Sequence, residues 1–502
     1  MKVVRIAAWI GACLSAVPGC GRTPSKGASG SDAAAAGDAA QYAEVSPSDV
    51  GGFVDVDVAT VDANDSADEV SLDTASTGPS LLGAALVAAP TGQGFGLNVV
   101  LRAGDPRGLR AHVRKTGMST WMELGQPSMP AFDVAEWSVS GLDAGQMYEY
   151  EVFVAAAPGS NASRILASGT AVTKRPAGAS FTFDLLTDSH IPACDSVAEG
   201  LEICGDDYLS ADEATLLDVS ADIRKDQPDF VIHLGDILDF HRFGFNEPPP
   251  DSRWSRLAYL NYRRLMVDTL SIAAHFPTIG NWDGESGCNS PDEIQRSSSQ
   301  RMLYIPGPKP GDYPEGGSPN EDYYAFTWGD ALFVVLNVMT YTPTCHLLSG
   351  DPGSPDDWTL GAAQRAWLES TLAGATAKWR FTFIHHTVGG NAGDGSNSAY
   401  GRGGGRAAHV GEQGVIHEML RKYGAQVFFY GHDHVFTDMV VDGIHYTLPG
   451  SAGAPWKFDS SITGYSQYWP DSGHGRVTIT PTQVVVDFVA VGGSLLSSYS
   501  LN

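Results

Sequence analysis

The 502-residue sequence predicts an α/β domain preceded by a smaller all-β domain. Three observations carry this. From Ala179 onward, apolar runs with strand composition alternate with helical stretches. From about Leu81 to Lys174, short strand-like runs are separated by Gly, Pro and Asp turns. Length alone suggests two or three domains rather than one. The boundaries read from these shifts are a leader over 1–19, a tether over 20–79, the all-β domain over 80–177 and the α/β domain over 178–502.

The leader opens with Lys2 and Arg5, and a short apolar run follows from Ile6 to Val17. That run is too short to span a bilayer comfortably. Leu14-Ser15-Ala16-Val17-Pro18-Gly19-Cys20 resembles a bacterial lipoprotein signal, in which cleavage leaves Cys20 lipidated, although Pro18 is unusual there. The expectation is export to the cell envelope on a lipid anchor at the outer membrane or cell surface. The plainer alternative is an ordinary signal and a periplasmic or secreted protein. The tether is rich in Ala, Gly, Ser and Asp, with too little apolar area to offset its ordering entropy.

The formal net charge is -27, which repels nucleic-acid phosphates and argues against a duplex partner. An anionic substrate would need a local cationic site. Four cysteines remain beyond Cys13 and Cys20, and an even number in an exported chain suggests disulfides. The pairing expected is Cys194 with Cys204, close enough to staple one loop, and Cys288 with Cys345; free thiols are the alternative.

In the all-β stretch the strand candidates are Leu97 to Leu101, Leu109 to Val113 and Met147 to Val154. In the α/β stretch they are Phe181 to Leu186, Phe230 to Leu234, Leu332 to Asn337, Phe381 to Ile384 and Val427 to Tyr430. Ser210-Ala211-Asp212-Glu213 reads as a capping box for a helix running towards Asp226. Further helices are expected over Arg256 to Ile272, Ala362 to Leu372 and Val410 to Tyr423. Arg476 to Ile479 and Val484 to Val489 read as two closing strands.

Five short motifs each follow a predicted strand, in order: Asp188-Ser189-His190, Gly235-Asp236-Ile237-Leu238-Asp239, Gly280-Asn281-Trp282-Asp283, His385-His386 and Gly431-His432-Asp433-His434. Sites in α/β sheets gather at the carboxyl ends of strands, so all five can converge. Imidazole with carboxylate suits zinc, manganese or iron, and no thiolate is involved. Seven side chains are available: Asp188, His190, Asp236, Asn281, His385, His432 and His434. That set is too rich for one ion and matches two ions sharing a carboxylate. Gly235 would let the chain turn tightly enough for Asp236 to project between them.

The order of these motifs resembles the calcineurin-like metallophosphoesterase superfamily over roughly Phe181 to Val489. Within it the nearest likeness is to purple acid phosphatases and their bacterial relatives. Tyr323 to Asn337 and Gln364 to Glu369 are similar to segments of that group. The segment Trp137 to Val152, with Tyr148 after its turn, resembles fibronectin type III domains, where the tyrosine bonds back across a corner. The resemblance implies an αββα two-sheet sandwich flanked by helices. It also implies that Asp188, His190 and His434 hold one metal, that Asn281, His385 and His432 hold the other, and that Asp236 bridges them. The substrate implied is a small phosphate ester. Its hydrolysis would proceed by in-line attack of a water activated between two ions.

Two departures matter. Purple acid phosphatases carry a Tyr ligand three residues after the bridging Asp; here that residue is Asp239, so an iron–tyrosinate centre and its colour are not expected. The family motif Gly-Asn-His-Asp/Glu reads Gly-Asn-Trp-Asp here, so Trp282 stands where a proton-donating His is expected. Indole has no mobile proton, and general acid catalysis is worth about 10²–10⁴ in rate. His241, His346, His386 and His409 are the candidate replacements, with His241 favoured for its place just after Asp239. Asp239 could orient a ligating His, His386 could lie behind the ligands or touch substrate, and Trp282 could touch substrate as well. Arg402 and Arg406, in the Gly-rich run 401–406, could clamp a phosphate. A phosphomonoesterase is the favoured reading. The rivals are a phosphodiesterase acting on nucleotides or lipid headgroups, and a surface binding protein with a metal site but no turnover. Oligomeric state is not readable from the sequence.

Overall fold

A computed structural model describes residues 79–102, 106–155, 163–192, 213–239, 252–287, 289–342, 359–386, 411–454, 457, 465 and 467–502. Cys20, Cys194, Cys204, Cys288 and Cys345 lie outside them, and so do the expected lipid and disulfides.

The chain is mixed α/β, with a β-rich N-terminal region. That region contains β1 (Leu86–Ala88), β2 (Gly94–Val100), β3 (Leu109–Lys115), β4 (Met122–Glu123), β5 (Ser128–Ala131), β6 (Val134–Ser140), β7 (Met147–Val154) and β8 (Arg164–Val172). They form two four-stranded sheets, ordered β1-β2-β6-β5 and β4-β3-β7-β8. Alternate residues point inward, as the period of a half-buried strand requires: Leu97 and Val99 from β2, Trp137 and Val139 from β6, Tyr148, Tyr150 and Val152 from β7. The Tyr148 hydroxyl accepts the Asp143 backbone N–H at 2.8 Å, a bond back across the preceding turn.

The second region supplies β9 (Phe181–Leu186), α1 (Glu213–Asp226), β10 (Phe230–His233), α2 (Ser252–Leu265), α3 (Val267–Leu270), β11 (Ala274–Pro277), α4 (Pro291–Tyr304), β12 (Tyr324–Trp328) and β13 (Ala331–Val335). It continues with α5 (Gly361–Gly374), β14 (Trp379–Phe383), α6 (Gly411–Lys422), β15 (Val427–Phe429), β16 (Phe436–Val441), β17 (Ile444–Pro449), β18 (Gly473–Ile479), β19 (Val484–Ala490) and β20 (Ser494–Leu501). Two six-stranded sheets result, β11-β10-β9-β18-β19-β20 and β12-β13-β14-β15-β17-β16. Strands β9, β10 and β11 run parallel in the first; β13, β14, β15 and β17 run parallel in the second.

The sheets pack through phenylalanine. Phe230 and Phe183 of one sheet meet Phe333 of the other edge-on, with ring centroids 5.2 and 5.1 Å apart. The outward face of the first sheet buries Leu216, Val219 and Ile223 of α1 with Tyr259 and Tyr262 of α2. The outward face of the second buries Leu368 and Leu372 of α5 with Ile416 and Leu420 of α6. This is the αββα order expected.

Arg263 of α2 ties the β-rich region to this sandwich. It is fully buried, and its guanidinium donates to Ala84 O, Asn98 O, Asn98 Oδ1 and Tyr304 O at 2.6–3.1 Å. A buried charge is tolerated only when its donors are met in this way.

Two expectations are corrected, and one helix is added. The helix expected over Arg256 to Ile272 breaks at Met266, where Thr269 gives its N–H to the Ser220 hydroxyl of α1 at 3.2 Å. The chain closes with three strands, because β20 adds to β19. A helix not expected, α4, starts at Ser290 with a complete capping box to Glu293 and Pro291 in its first turn. The residues of the predicted box at Ser210 lie outside the described ones.

Candidate metal centre

All five motifs leave the carboxyl ends of parallel strands and converge between the two sheets. Asp188 lies two residues beyond β9, Asp236 three beyond β10, Asn281 four beyond β11, His385 two beyond β14 and His432 three beyond β15. The exits of β9 and β10 are stitched together, with Asp188 N bonded to Gly235 O at 3.0 Å and His190 N to Asp236 O at 2.9 Å.

The backbone there is strained. Asp188, His190, Asp236, His432 and His434 have φ of +56°, +46°, +52°, +83° and +58°. Left-handed non-glycine residues are uncommon, cost about 1–3 kcal/mol each and cluster at functional sites. Five of the seven expected ligands adopt that conformation. Gly235, at φ +98°, behaves as expected, and its Cα packs so tightly that an added Cβ would meet Gly280 N at 2.6 Å.

Asp236 is anchored through one oxygen and presents the other, whereas the His432 N–H reaches both oxygens of Asp188, Oδ1 at 3.3 Å. Asp188 Oδ2 accepts the Thr187 hydroxyl at 2.7 Å and the His432 N–H at 3.0 Å. Its Oδ1 lies 3.2 Å from His434 Nε2 and 3.8 Å from His190 Nε2. Asp236 Oδ1 accepts the Trp282 N–H at 2.7 Å. Its Oδ2 is buried without a hydrogen bond, 3.1 Å from His385 Nε2 and 3.6 Å from His190 Nε2. Asp236 therefore reaches both halves of the site with one oxygen. Asn281 Oδ1 lies 3.1 Å from His385 Nε2 and 3.0 Å from His432 Nδ1. His385 donates Nδ1–H to Leu234 O at 2.9 Å, which turns Nε2 inward as a metal ligand requires.

The donor set fits divalent metal. Asp188, His190 and His434 form one group whose ligand atoms lie within 4.8 Å of one another, Asp188, Asp236 and His385 form a second, and His385, His386 and His432 a third. Imidazole and carboxylate oxygen without thiolate suit zinc, manganese or iron. Charge points the same way. Burial pulls the His385 imidazole down, but Asp236, Asp188 and Asp283 outweigh it and hold it up at about 9. That is a concentration of negative charge a cation would take up.

Asp283 clasps the loops. Its Oδ2 accepts Asp236 N at 3.0 Å and Gly280 N at 2.8 Å, and its Oδ1 accepts Leu238 N at 3.0 Å. Trp282 is half-buried, its indole edge-on to His190 with centroids 4.8 Å apart. Asp239 is buried three residues after Asp236; burial pulls His190 down, but Asp188 and Asp236, with Asp239 adding to them, raise it. His386 is buried, its ring 3.8 Å from that of His432. His241, His346, His409, Arg402 and Arg406 lie outside the described residues.

The chain region matched by the family model for calcineurin-like phosphoesterases is residues 181–436, a little over half of the sequence. The chain belongs to the calcineurin-like phosphoesterase family. It is accordingly a metal-dependent phosphoric ester hydrolase. Among solved structures this phosphoesterase is similar to PhoD, at 15% identity over 84% of this chain and 90% of that one, with a TM-score of 0.63. It is also similar to the purple acid phosphatase PPD1 from yellow lupin (Lupinus luteus) seeds, at 12% identity over 83% and 74%, with a TM-score of 0.58. Both likenesses concern the fold. A comparison with curated protein sequences gave no match.

The phosphoesterase also has site neighbours that the motifs did not reveal. Lys457 Nζ donates to Ala454 O at 3.3 Å and Ser472 Oγ at 3.1 Å, and Ala454 N is bonded to Asp188 O at 3.1 Å. Burial lowers the Lys457 amine to about 8, with Asp188 opposing the shift. Tyr465 donates to Asp433 Oδ2 at 2.5 Å and accepts from Tyr430 at 2.9 Å, which fixes the residue between His432 and His434. Neither Lys457 nor Tyr465 belongs to a recognisable motif. Among the described residues no helix is long and apolar enough to cross a membrane.

Proposed function

We propose that this phosphoesterase is an exported enzyme that hydrolyses small phosphomonoesters at a two-metal centre. Asp188, His190 and His434 would hold one ion, Asn281, His385 and His432 the other, and Asp236 Oδ2 would be shared. The observation that carries this reading is the placement of Asp236 Oδ2, buried without a hydrogen bond between His190 and His385. Export on a lipid anchor rests on the leader 1–19 and Cys20, and the β-rich region is read as a fibronectin-like packing module over 80–177.

Two such ions lower the pKa of a bound water and offset charge on phosphoryl oxygens. The chain's own residues do the rest. Asp283 holds the Asp236 and Asn281 loops in register. Leu234 O fixes the His385 tautomer. The Thr187 hydroxyl fixes which oxygen Asp188 turns inward. Trp282 packs edge-on against His190, but its indole cannot protonate a departing alkoxide. Lys457, tied to Ala454 O and Ser472 Oγ, brings an amine whose charge Asp188 favours and burial opposes.

The test is a panel of aryl phosphate monoesters and diesters, assayed on purified protein before and after chelation. The reading expects faster turnover of monoesters, loss on chelation, and recovery with Zn²⁺, Mn²⁺ or iron. Faster turnover of diesters would assign the site to nucleotides or lipid headgroups instead. Tightly bound metal with no turnover of any ester would leave a binding protein.

A further inference from the structure

A second group of metal-capable side chains lies on the other face of β9, four residues before Asp188. Strand rise separates the two by roughly 13 Å. Phe181, Phe183 and Leu185 point into the sandwich, so Asp184 faces the helix layer. On β18 and β19, Val477, Val486 and Phe488 point inward, and His474, Arg476 and Asp487 share the Asp184 face. Asp226, the last residue of α1, closes over this stripe.

The hydrogen bonds leave a specific gap. Arg476 is directly opposite Asp184 in register, yet its guanidinium goes elsewhere. Nη1 donates to Asp226 Oδ1 at 2.9 Å, while Nε and Nη2 donate to Asp487 Oδ2 at 3.2 and 2.8 Å. Asp487 Oδ1 takes the Ser498 hydroxyl at 2.7 Å. His474 Nε2 lies 2.8 Å from Asp226 Oδ2. Both oxygens of Asp184 and Nδ1 of His474 are buried with no hydrogen bond at all. Asp184 is fully buried and His474 nearly so. A buried polar group without a partner is costly and calls for an explanation. Three carboxyl groups face one guanidinium, and Asp184 is the one it leaves without a hydrogen bond.

We propose that Asp184, Asp226 and His474 hold a divalent cation separate from the catalytic centre. Their ligand atoms lie within 4.8 Å of one another. Two carboxylates and an imidazole suit Zn²⁺ or Mn²⁺ rather than an all-oxygen Ca²⁺ site. The Asp226 side chain keeps 11% exposure and gives the ion a way in. The ion would be structural. It fastens the end of α1 to β9, the strand that delivers Asp188, and to β18. The competing occupant is a proton, because burial and then Asp226 push the Asp184 carboxyl up, against Arg476.

The experiment counts metal per chain in full-length protein loaded with Zn²⁺ and, separately, Mn²⁺, then freed of excess. Wild type is compared with Asp184→Leu, His474→Leu and Asp236→Ala. Asp184→Leu and His474→Leu are each expected to hold one equivalent fewer than wild type and to keep turnover within about twofold. Asp236→Ala is expected to lose metal at the catalytic centre while keeping this ion. Unchanged metal content in Asp184→Leu and His474→Leu overturns the proposal and leaves the proton. If those variants do not fold, anomalous scattering from Zn²⁺-loaded wild-type crystals decides. A peak bounded by Asp184, Asp226 and His474 supports the site, and its absence overturns it, whatever the catalytic centre contains.

Discussion

The Asp283 carboxylate accepts the backbone N–H of Asp236 at 3.0 Å, so the residue that follows Trp282 sets the position of the proposed shared ligand. The same carboxylate takes the N–H groups of Gly280 and Leu238. Asp283→Asn keeps the shape but turns one acceptor into a donor facing N–H. Residues that orient metal ligands typically cost 10–100-fold in affinity or activity when changed. We expect Asp283→Asn to weaken metal binding by about that factor, measured by competition with a chelator, with folding retained by circular dichroism. Unchanged metal affinity would remove Asp283 from the account.

Gly431 shows how closely the ligands are packed. A Cβ there would fall on the Thr187 hydroxyl and lie 2.9 Å from His385 Nδ1 and 3.3 Å from Asp188 Oδ2. Gly431→Ala should displace two ligands at once. Its expected outcome is loss of bound metal and at least a 100-fold fall in turnover, with little change in the far-ultraviolet spectrum. Substitution at Gly443, where a Cβ meets nothing within 4 Å, is the control. Backbone strain at that positive φ would cost it stability but not metal.

The proposed function makes Trp282 the residue that governs leaving-group dependence. Without an imidazole there, turnover should fall steeply as the leaving alcohol becomes more basic. Trp282→His is expected to raise turnover of alkyl phosphates at least tenfold, within the roughly 10²–10⁴ that general acid catalysis supplies, and to change nitrophenyl phosphate little. Equal effects on both substrates would show that another group already donates the proton.

Arg301 of α4 secures the same loop from behind. It pairs with Glu285 at 2.6 Å and donates to Asn320 O and Glu321 O, and both charged partners are buried. Removing one member of a buried pair typically costs about 3–5 kcal/mol, because the other charge stays behind. Arg301→Met should lose about that much stability in urea unfolding, and Arg301→Met with Glu285→Leu should recover part of it. An additive loss in the double variant would contradict the pairing.

Most of the centre was legible because each motif is local. A strand ends, and a Gly, Asp, Asn or His follows within a few residues, so Asp188, His190, Asp236, Asn281, His385, His432 and His434 could be read together. The left-handed backbone at five of them was not legible, because it is imposed by neighbouring strand exits rather than by residue type. Lys457 was missed because it belongs to no motif and reaches the site through Ala454, whose N–H bonds to Asp188 O. The break at Met266 was missed because no Pro or Gly marks it; a tertiary hydrogen bond from Thr269 to Ser220 makes it. The capping box at Ser290 was a readable signal, and α4 follows it. The Asp184 cluster shows the opposite limit. Its members lie on β9, α1 and β18, so only the folded chain brings them together.

The most direct test of the central claim is Asp236→Ala, with metal content and aryl phosphate turnover measured on one preparation alongside wild type. Two ions sharing Asp236 predict that the variant loses metal from the catalytic centre and that turnover falls at least 1,000-fold, on the order of a lost metal-activated nucleophile. Wild-type metal content with wild-type turnover in Asp236→Ala would contradict the account.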